Sequence, residues 1–313
     1  MRSTEDVLAT EFDEQRARLF GLAYRLTGSI SDSEDVVEET RTRLSGLPGT
    51  EAPEGDRPEV QTTRTVAALA LERARLAVSR RKHYVGPWLP EPIVTEHHCP
   101  ATNPLGSVVR AEDVRMAALR IVQQLPPEQR VALVLREVVG LPLTEIAVLL
   151  GCTEERAGHH ACRARRTVDE AHPPRRVPAS QQHETVQALL AALSAEDQWA
   201  VARMLDPRVS VHGDSDGKAR TALRPVHGRD RVTRFLLALI RRYASSALKN
   251  MRSVLVNGDP GLLLPGSPAG TPFDRAVAPR VVGFAVRDGR AAEIHDIVNP
   301  DKLTRVRLLA TAP

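Results

Sequence analysis

Arg156, Arg163, Arg165 and Arg166 fall on one short stretch, CTEERAGHHACRARR, directly after LTEIAVLLG. A guanidinium is a permanently charged planar fork that fits phosphate oxygens and the edge of guanine, so arginines grouped on a helix suit nucleic acid. The chemistry needs a scaffold that presents one helix face. The spacing predicts a short apolar helix over Leu143–Leu150, a turn at Gly151, a cap at Thr153 and a second helix to about Glu170. The second helix of such a pair enters the major groove with its N-terminal half at the bases, while flanking arginines clamp phosphates. A plain helical hairpin with a solvated basic face has the same pattern.

Other chemistries have weaker support. Cys99, Cys152 and Cys162 form no CxxC pair, and their odd number argues against a disulfide framework. His97 and His98 adjoin Cys99, and His159 and His160 lie near Cys162, but at no common zinc spacing. His212, Asp214, Asp216, His227, Asp230, His295 and Asp296 are candidates for proton transfer. No metal, nucleotide or nucleophile motif accompanies them, and they read more simply as strand-surface and turn residues. No catalytic residue, metal or cofactor is assigned.

The elements around these residues divide into helical and mixed parts. Phe12, Leu19, Leu22, Ala23 and Leu26 recur at helical spacing, and Gly28 ends that helix. Ser31 or Asp32 is expected to cap the next, which runs through Val36, Val37 and Leu44 with Glu34 and Asp35 in its first turn. GLPGTEAPEGDRPE reads as a loop, and a third helix over about Val60–His83 ends in the basic tract Arg73, Arg75, Arg80, Arg81, Lys82. A helix over Pro127–Val139 precedes the helix pair, and HPPRRVPASQQ reads as a linker. Beyond it come a helix over Glu184–Ala195, a strand-like run before DSDGK, the helix GRDRVTRFLLALIRRY, and further strand-like segments with a hairpin at residues 287–289. Helices followed by a curled antiparallel sheet predict an α+β domain.

YVGPWLPEP, between the helical blocks, carries three prolines, Trp88 and Leu89, so it is stiff and apolar and is expected to dock on something. The chain has 313 residues, enough for two or three domains, and a net charge of +4 with only four lysines, Lys82, Lys218, Lys249 and Lys302. No segment reaches membrane-spanning length, and the polar, acidic start MRSTEDVLATEFDEQ is not a secretory signal, so a cytoplasmic protein without membrane partners is expected.

AYRLTGSISDSEDVVEETRTRL resembles region 2 of extracytoplasmic-function sigma factors, and LPPEQRVALVLREVVGLPLTEIAVLLGCTEERAGHHACRARR resembles their region 4. YVGPWLPEP, DSDGK at 214–218 and NPDKL at 299–303 resemble hallmarks of the SigJ-like subgroup, which carries a fused SnoaL-like domain. The resemblance implies a multidomain chain of two all-α sigma domains, a region 2 helical bundle and a region 4 helix-turn-helix, followed by an α+β SnoaL-like cone-shaped domain. The implied boundaries are residues 1–92 for region 2, 93–110 for the connector, 111–176 for region 4, 177–182 for a linker and 183–313 for the C-terminal domain. Core RNA polymerase, through its β′ clamp and β flap, and promoter DNA are the implied partners; whether an anti-sigma factor exists is left open.

Residue roles follow the same resemblance. Glu34, Asp35, Glu38 and Glu39 would face the polymerase. Arg73, Arg75, Arg80, Arg81, Thr153, Arg156, His159, Arg163, Arg165 and Arg166 would serve DNA. Trp88, Leu89, Pro90, Asp214, Lys218, Asn299, Pro300, Lys302 and Leu303 would form a regulatory contact between connector and C-terminal domain. The chain departs from the subgroup at Glu38 (usually glutamine), Arg41 (tryptophan), near Gln61 (tryptophan) and Gly158 (often arginine), which bears on promoter choice and melting. The alternatives are a one-component DNA-binding regulator that acts without polymerase and a small-molecule enzyme that uses the C-terminal pocket.

Overall fold

The computed structural model describes residues 4–45, 58–96, 104–111, 114–247, 251–266 and 277–306. The loop expected at 45–58 and the His97, His98, Cys99 cluster lie largely or wholly outside them. The chain forms two compact units, one of residues 1–82, 100–114 and 119–173, the other of residues 83–99, 115–118 and 174–313.

The first unit is helical. Helix α1 (Thr4–Thr27) buries Leu19, Ala23 and Leu26 against Val36 and Val37 of α2 (Ile30–Ser45) and Val66, Ala67 and Ala70 of α3 (Pro58–Arg81). Gly28, at φ 70°, turns the chain out of α1. The α2 cap is Ser29, whose Oγ accepts from the Asp32 amide at 3.2 Å, rather than Ser31 or Asp32. Next come α4 (Pro104–Ala111), α5 (Met116–Gln124) and α6 (Pro127–Val134), the last continued by a π-helical turn over Leu135–Val139. Helices α7 (Leu143–Leu150) and α8 (Glu154–Ala171) complete the unit. Helix α6 packs on α1 and α3, and α7 on α3, so the two helical segments expected as separate domains form one body.

The second unit is α+β. Helices α9 (Ala179–Ser194), α10 (Gln198–Arg203) and α11 (Arg229–Ala247) accompany a seven-stranded sheet of order β1-β4-β5-β6-β7-β2-β3. The strands are β1 (Val94–Thr95), β2 (Leu205–Asp214), β3 (Val226–His227), β4 (Arg252–Val256), β5 (Asp259–Leu264), β6 (Arg280–Arg287) and β7 (Arg290–Ile297); a short α12 (Pro300–Leu303) follows. The sheet is mixed rather than antiparallel, because β2 runs parallel to β7. Helix α9 starts inside the expected linker, where Gln182 is buried and donates from Nε2 to the Phe284 carbonyl at 3.0 Å.

Strand β1 comes from the connector. Val94 and Thr95 pair with Val256 and Leu255, and the Asn257 amide donates to the Ile93 carbonyl at 2.8 Å. Residues 83–99 therefore belong to the C-terminal unit and not to a free-standing linker.

Register divides the sheet residues between two faces. Val211, Ile294, Val282, Phe284, Leu262 and Leu264 share the face packed under α9 and α11. Ser210, His212, Asp214, Glu293, His295 and Ile297 share the opposite face, where Leu89, Met116, Val254, Leu263, Val281 and Leu303 build a second core. Among the described residues no helix is long and apolar enough to cross a membrane.

Candidate functional site

The helix-turn-helix is built from local signals. Gly151 adopts φ 65° between the helices, a left-handed conformation that suits glycine. The Thr153 hydroxyl accepts from the Arg156 amide at 3.3 Å and caps α8. Ala157 and Ala164 are fully buried; Ala164 packs with Leu125 and Leu133, and small side chains there allow close helix approach. The outward face of α8 exposes Arg156, His159, Arg163 and Arg166. Arg165 is exposed too, but it is held between Glu137 at 2.6 Å and Asp169 at 3.3 Å. A Cβ on Gly158 would stand 3.5 Å from Leu143 Cδ1, an ordinary contact.

The acidic face of α2 and the basic tract of α3 largely meet each other. Arg73 reaches Glu39 at 3.4 Å and Asp35 at 3.8 Å, and Arg80 reaches Asp32 at 3.9 Å. Glu38 binds Arg16 and Arg41, and Arg75 binds Glu128, whose carboxyl is held below its ordinary range by its own backbone amide and by Arg75, against a burial effect that raises it. These pairs are mostly exposed, and each is worth ~0–1 kcal/mol.

A site absent from the sequence reading lies at the C-terminus of α1. The last carbonyls of a helix have no intrahelical partners. Here Gln123 Nε2 donates to the Arg25 carbonyl at 2.8 Å, Arg130 Nη1 to Leu26 at 2.6 Å, and Arg81 Nη2 to Thr27 at 3.5 Å. Arg130 is only 2% exposed and also holds Gln123 Oε1 and the carbonyls of Gln123 and Leu125. Burial first, and the nearby Arg81 charge second, pull its pKa down to about 9, which still leaves it charged at neutral pH. Cations at a helix C-terminus also meet the negative end of its dipole. Arg81, expected at DNA, is thus bound to Gln123 and Thr27 in this structure.

In the second unit the connector closes on Asp214, which is fully buried. Its carboxylate accepts from the Tyr84 hydroxyl, from the Leu89 amide at 2.6 Å and from Lys302 Nζ at 2.6 Å. Lys302 also donates to the Leu89 carbonyl at 2.5 Å and lies 4.1 Å from the centroid of the Trp88 ring, a cation–π contact. Asn299 donates to the Tyr84 hydroxyl at 2.8 Å and caps α12 through the Asp301 amide. Burial, reinforced by the Asp214 charge, raises the Tyr84 pKa well above its ordinary value. Lys218 bridges Asp301 and Asp216, and Asp216 accepts from the Val85 amide. That amide, then Lys218, holds Asp216 below its ordinary range, and the bond to Asp301 raises Lys218. Leu89 and Leu303 enter the core beneath, Pro90 is buried, and Pro300 starts α12 exposed. Burying Leu89 contributes ~2 kcal/mol.

The His and Asp candidates do not converge. Ser210 Oγ lies 3.0 Å from His212 Nε2, His212 stacks on His295 at 6.0 Å, and His295 Nε2 meets Glu293 at 3.0 Å, all on the Asp214 face. Asp296 is on the other face, held by Thr221 and Arg280. Asp216 sits in the turn after β2, His227 on edge strand β3 and Asp230 in the first turn of α11. Among the described residues no three metal-ligating side chains gather.

The family model described as sigma-70, region 4 matches residues 115–168. The ECF RNA polymerase sigma factor SigJ of Mycobacterium tuberculosis H37Rv is 42% identical over 298 residues, covering 94% of this chain and 93% of the relative. The probable ECF RNA polymerase sigma factor SigI of Mycobacterium tuberculosis CDC 1551 is 29% identical over 311 residues, covering 97% and 98%. The crystal structure of the Mycobacterium tuberculosis extracytoplasmic function sigma factor SigJ matches with a TM-score of 0.79 at 40% identity, over 95% of this chain and 98% of that one.

Proposed function

From the premise that this chain belongs to the extracytoplasmic-function RNA polymerase sigma factors and directs transcription initiation, we propose how its parts divide that work. Helix α8 reads the upstream promoter element. Arg156, His159, Arg163 and Arg166 face outward behind a capped turn, and this exposed basic face is the observation that carries the proposal. Arg165, braced by Glu137 and Asp169, keeps that face in register.

Helix α2 docks on the β′ clamp of core polymerase through Glu34, Asp35, Glu38 and Glu39, and region 4 meets the β flap. A basic partner competes for Asp35 and Glu39 with Arg73, and exposed pairs of this kind exchange at little cost. Exchange frees Arg73 for the downstream promoter strand. The protein works where polymerase is, in the cytoplasm.

Promoter binding opens the helical unit. Two promoter elements about two helical turns apart lie ~70 Å from each other along the duplex. A body in which α6 and α7 pack on α1 and α3 does not reach both. The contacts of Arg130 and Gln123 on the end of α1 break on the polymerase, and the C-terminal domain sets the ease of that step through the connector it holds.

Run-off transcription with core polymerase on the DNA upstream of the protein's own gene tests the assignment. A defined transcript that needs both proteins is expected. DNA binding with no transcript and no competition with the housekeeping sigma factor would instead identify a one-component regulator.

A further inference from the structure

Between α9, α11 and the helix-packed face of the sheet lies a cavity of about 140 Å³. Its walls are hydrocarbon, among them Leu189, Leu193, Leu239, Leu262 and Phe284, with Arg280 as the ionisable residue in the lining. An apolar cavity of about 150 Å³ lined by such side chains stays dry and takes a benzene-sized guest, because water needs two or more polar partners to enter.

Arg280 supplies one polar point. Its Nη1 lies 3.2 Å from Asp296 Oδ2, and Asp296 also accepts from Thr221 at 2.6 Å. The guanidinium charge is thereby matched within the protein. Its Nε–H is buried and finds no acceptor among the described residues. A buried donor without an acceptor costs free energy that a guest bearing an acceptor recovers.

We propose that this cavity is a binding site for a small, uncharged, mostly hydrocarbon molecule that carries one carbonyl. Its size sets the guest at about one ring or a short chain, the matched charge of Arg280 selects against an anion, and the Nε donor selects an acceptor. The site binds and does not transform its guest. Ser210, His212, Glu293, His295 and Asp214 lie on the opposite face of the sheet, and no nucleophile, acid or base lines the cavity among the described residues.

The test uses the full chain labelled with 13C in its methionine methyls, because Met251 lines the cavity while Met116 lies in the core of the other face. Acetophenone and ethylbenzene are the probes, two molecules of like shape of which one has the carbonyl. Each should shift the Met251 signal to saturation and leave Met116 in place, with acetophenone bound about two- to tenfold tighter. Arg280→Lys keeps a cation beside Asp296 but lacks the Nε donor, so it should bind ethylbenzene as before and lose the preference. Leu239→Trp, which fills the cavity, should abolish both shifts. Absence of a saturable Met251 shift with either probe, an equal shift at Met116, or a preference that survives Arg280→Lys overturns the proposal. Should Arg280→Lys fail to fold, the two-probe comparison and the filled variant decide it.

Discussion

Asp214→Asn is the sharpest perturbation of the connector site. The carboxylate is fully buried and gathers a phenol, an amide and an ammonium. Asparagine keeps the shape but removes the charge and sets an NH2 group against Tyr84 or Lys302, each a donor. Two unit charges ~3 Å apart attract by ~5 kcal/mol at an effective dielectric of 20. Desolvation of both groups cancels much of this, so the pair itself adds little. Removing one partner is different, because Lys302, whose side chain is only 11% exposed, is left with an unmatched charge. That costs ~3–5 kcal/mol. At ~2–4 °C per kcal/mol for a unit of this size, the unfolding transition of the C-terminal unit should fall by about 6–20 °C. Lys302→Met should cost a similar amount. The double variant should lose scarcely more than either single one, with an interaction energy of ~3 kcal/mol in a thermal or urea denaturation cycle. Hydrogen exchange at the Leu89 amide, bonded to the same carboxylate, should quicken by about two to three orders of magnitude in Asp214→Asn. Additive losses, with an interaction energy under ~0.5 kcal/mol, would refute the reasoning and move the cost to the hydrogen bonds alone.

Arg163→Ala with Arg166→Ala should lower the log–log salt slope of holoenzyme–promoter binding by about two, one per phosphate contact, in fluorescence titrations; an unchanged slope would assign these residues to the bases or to the fold. Gly158→Ala should stabilise the helical unit by about 0.5–1 kcal/mol in urea, because the new methyl meets Leu143 at an ordinary distance; a loss would mean that Leu143 cannot yield. Arg130→Met should weaken the closure of the helical unit and raise the radius of gyration of the free chain in small-angle scattering. An unchanged radius would show that apolar packing alone keeps the unit closed.

What was legible in the sequence was local. Gly151 and Thr153 mark the helix-turn-helix because a left-handed turn and a side-chain cap leave their own residue types. Asp288 and Gly289, at φ 49° and 67°, form the hairpin turn expected at 287–289. Asn257–Gly258 is an equally strong turn signal, yet the stretch was read as one strand-like segment where the chain reverses from β4 to β5. The rest depends on distant partners. Two-residue β1 has no periodicity of its own and is defined by Leu255 and Val256. Arg130 looks like any arginine on an amphipathic helix until α1 brings carbonyls to it. The His and Asp candidates separate only once register assigns His295 to one face and Asp296 to the other.

The connector strand also governs the order in which the protein can be made. Leu89 and Lys302 are 213 residues apart in the chain, yet they share a hydrogen bond. At ~5–20 residues per second, the ribosome delivers Lys302 about 10–40 s after Leu89. Helices α1 to α8 have emerged by then, while Trp88, Leu89 and the edge strand Val94–Thr95 still await their partners. During that interval a nascent chain carries an unpaired strand beside an apolar stretch, the kind of segment that chaperones bind and proteases cut. A message truncated before NPDKL would yield a chain held in that state permanently. Cells would therefore clear incomplete copies of this factor sooner than finished ones.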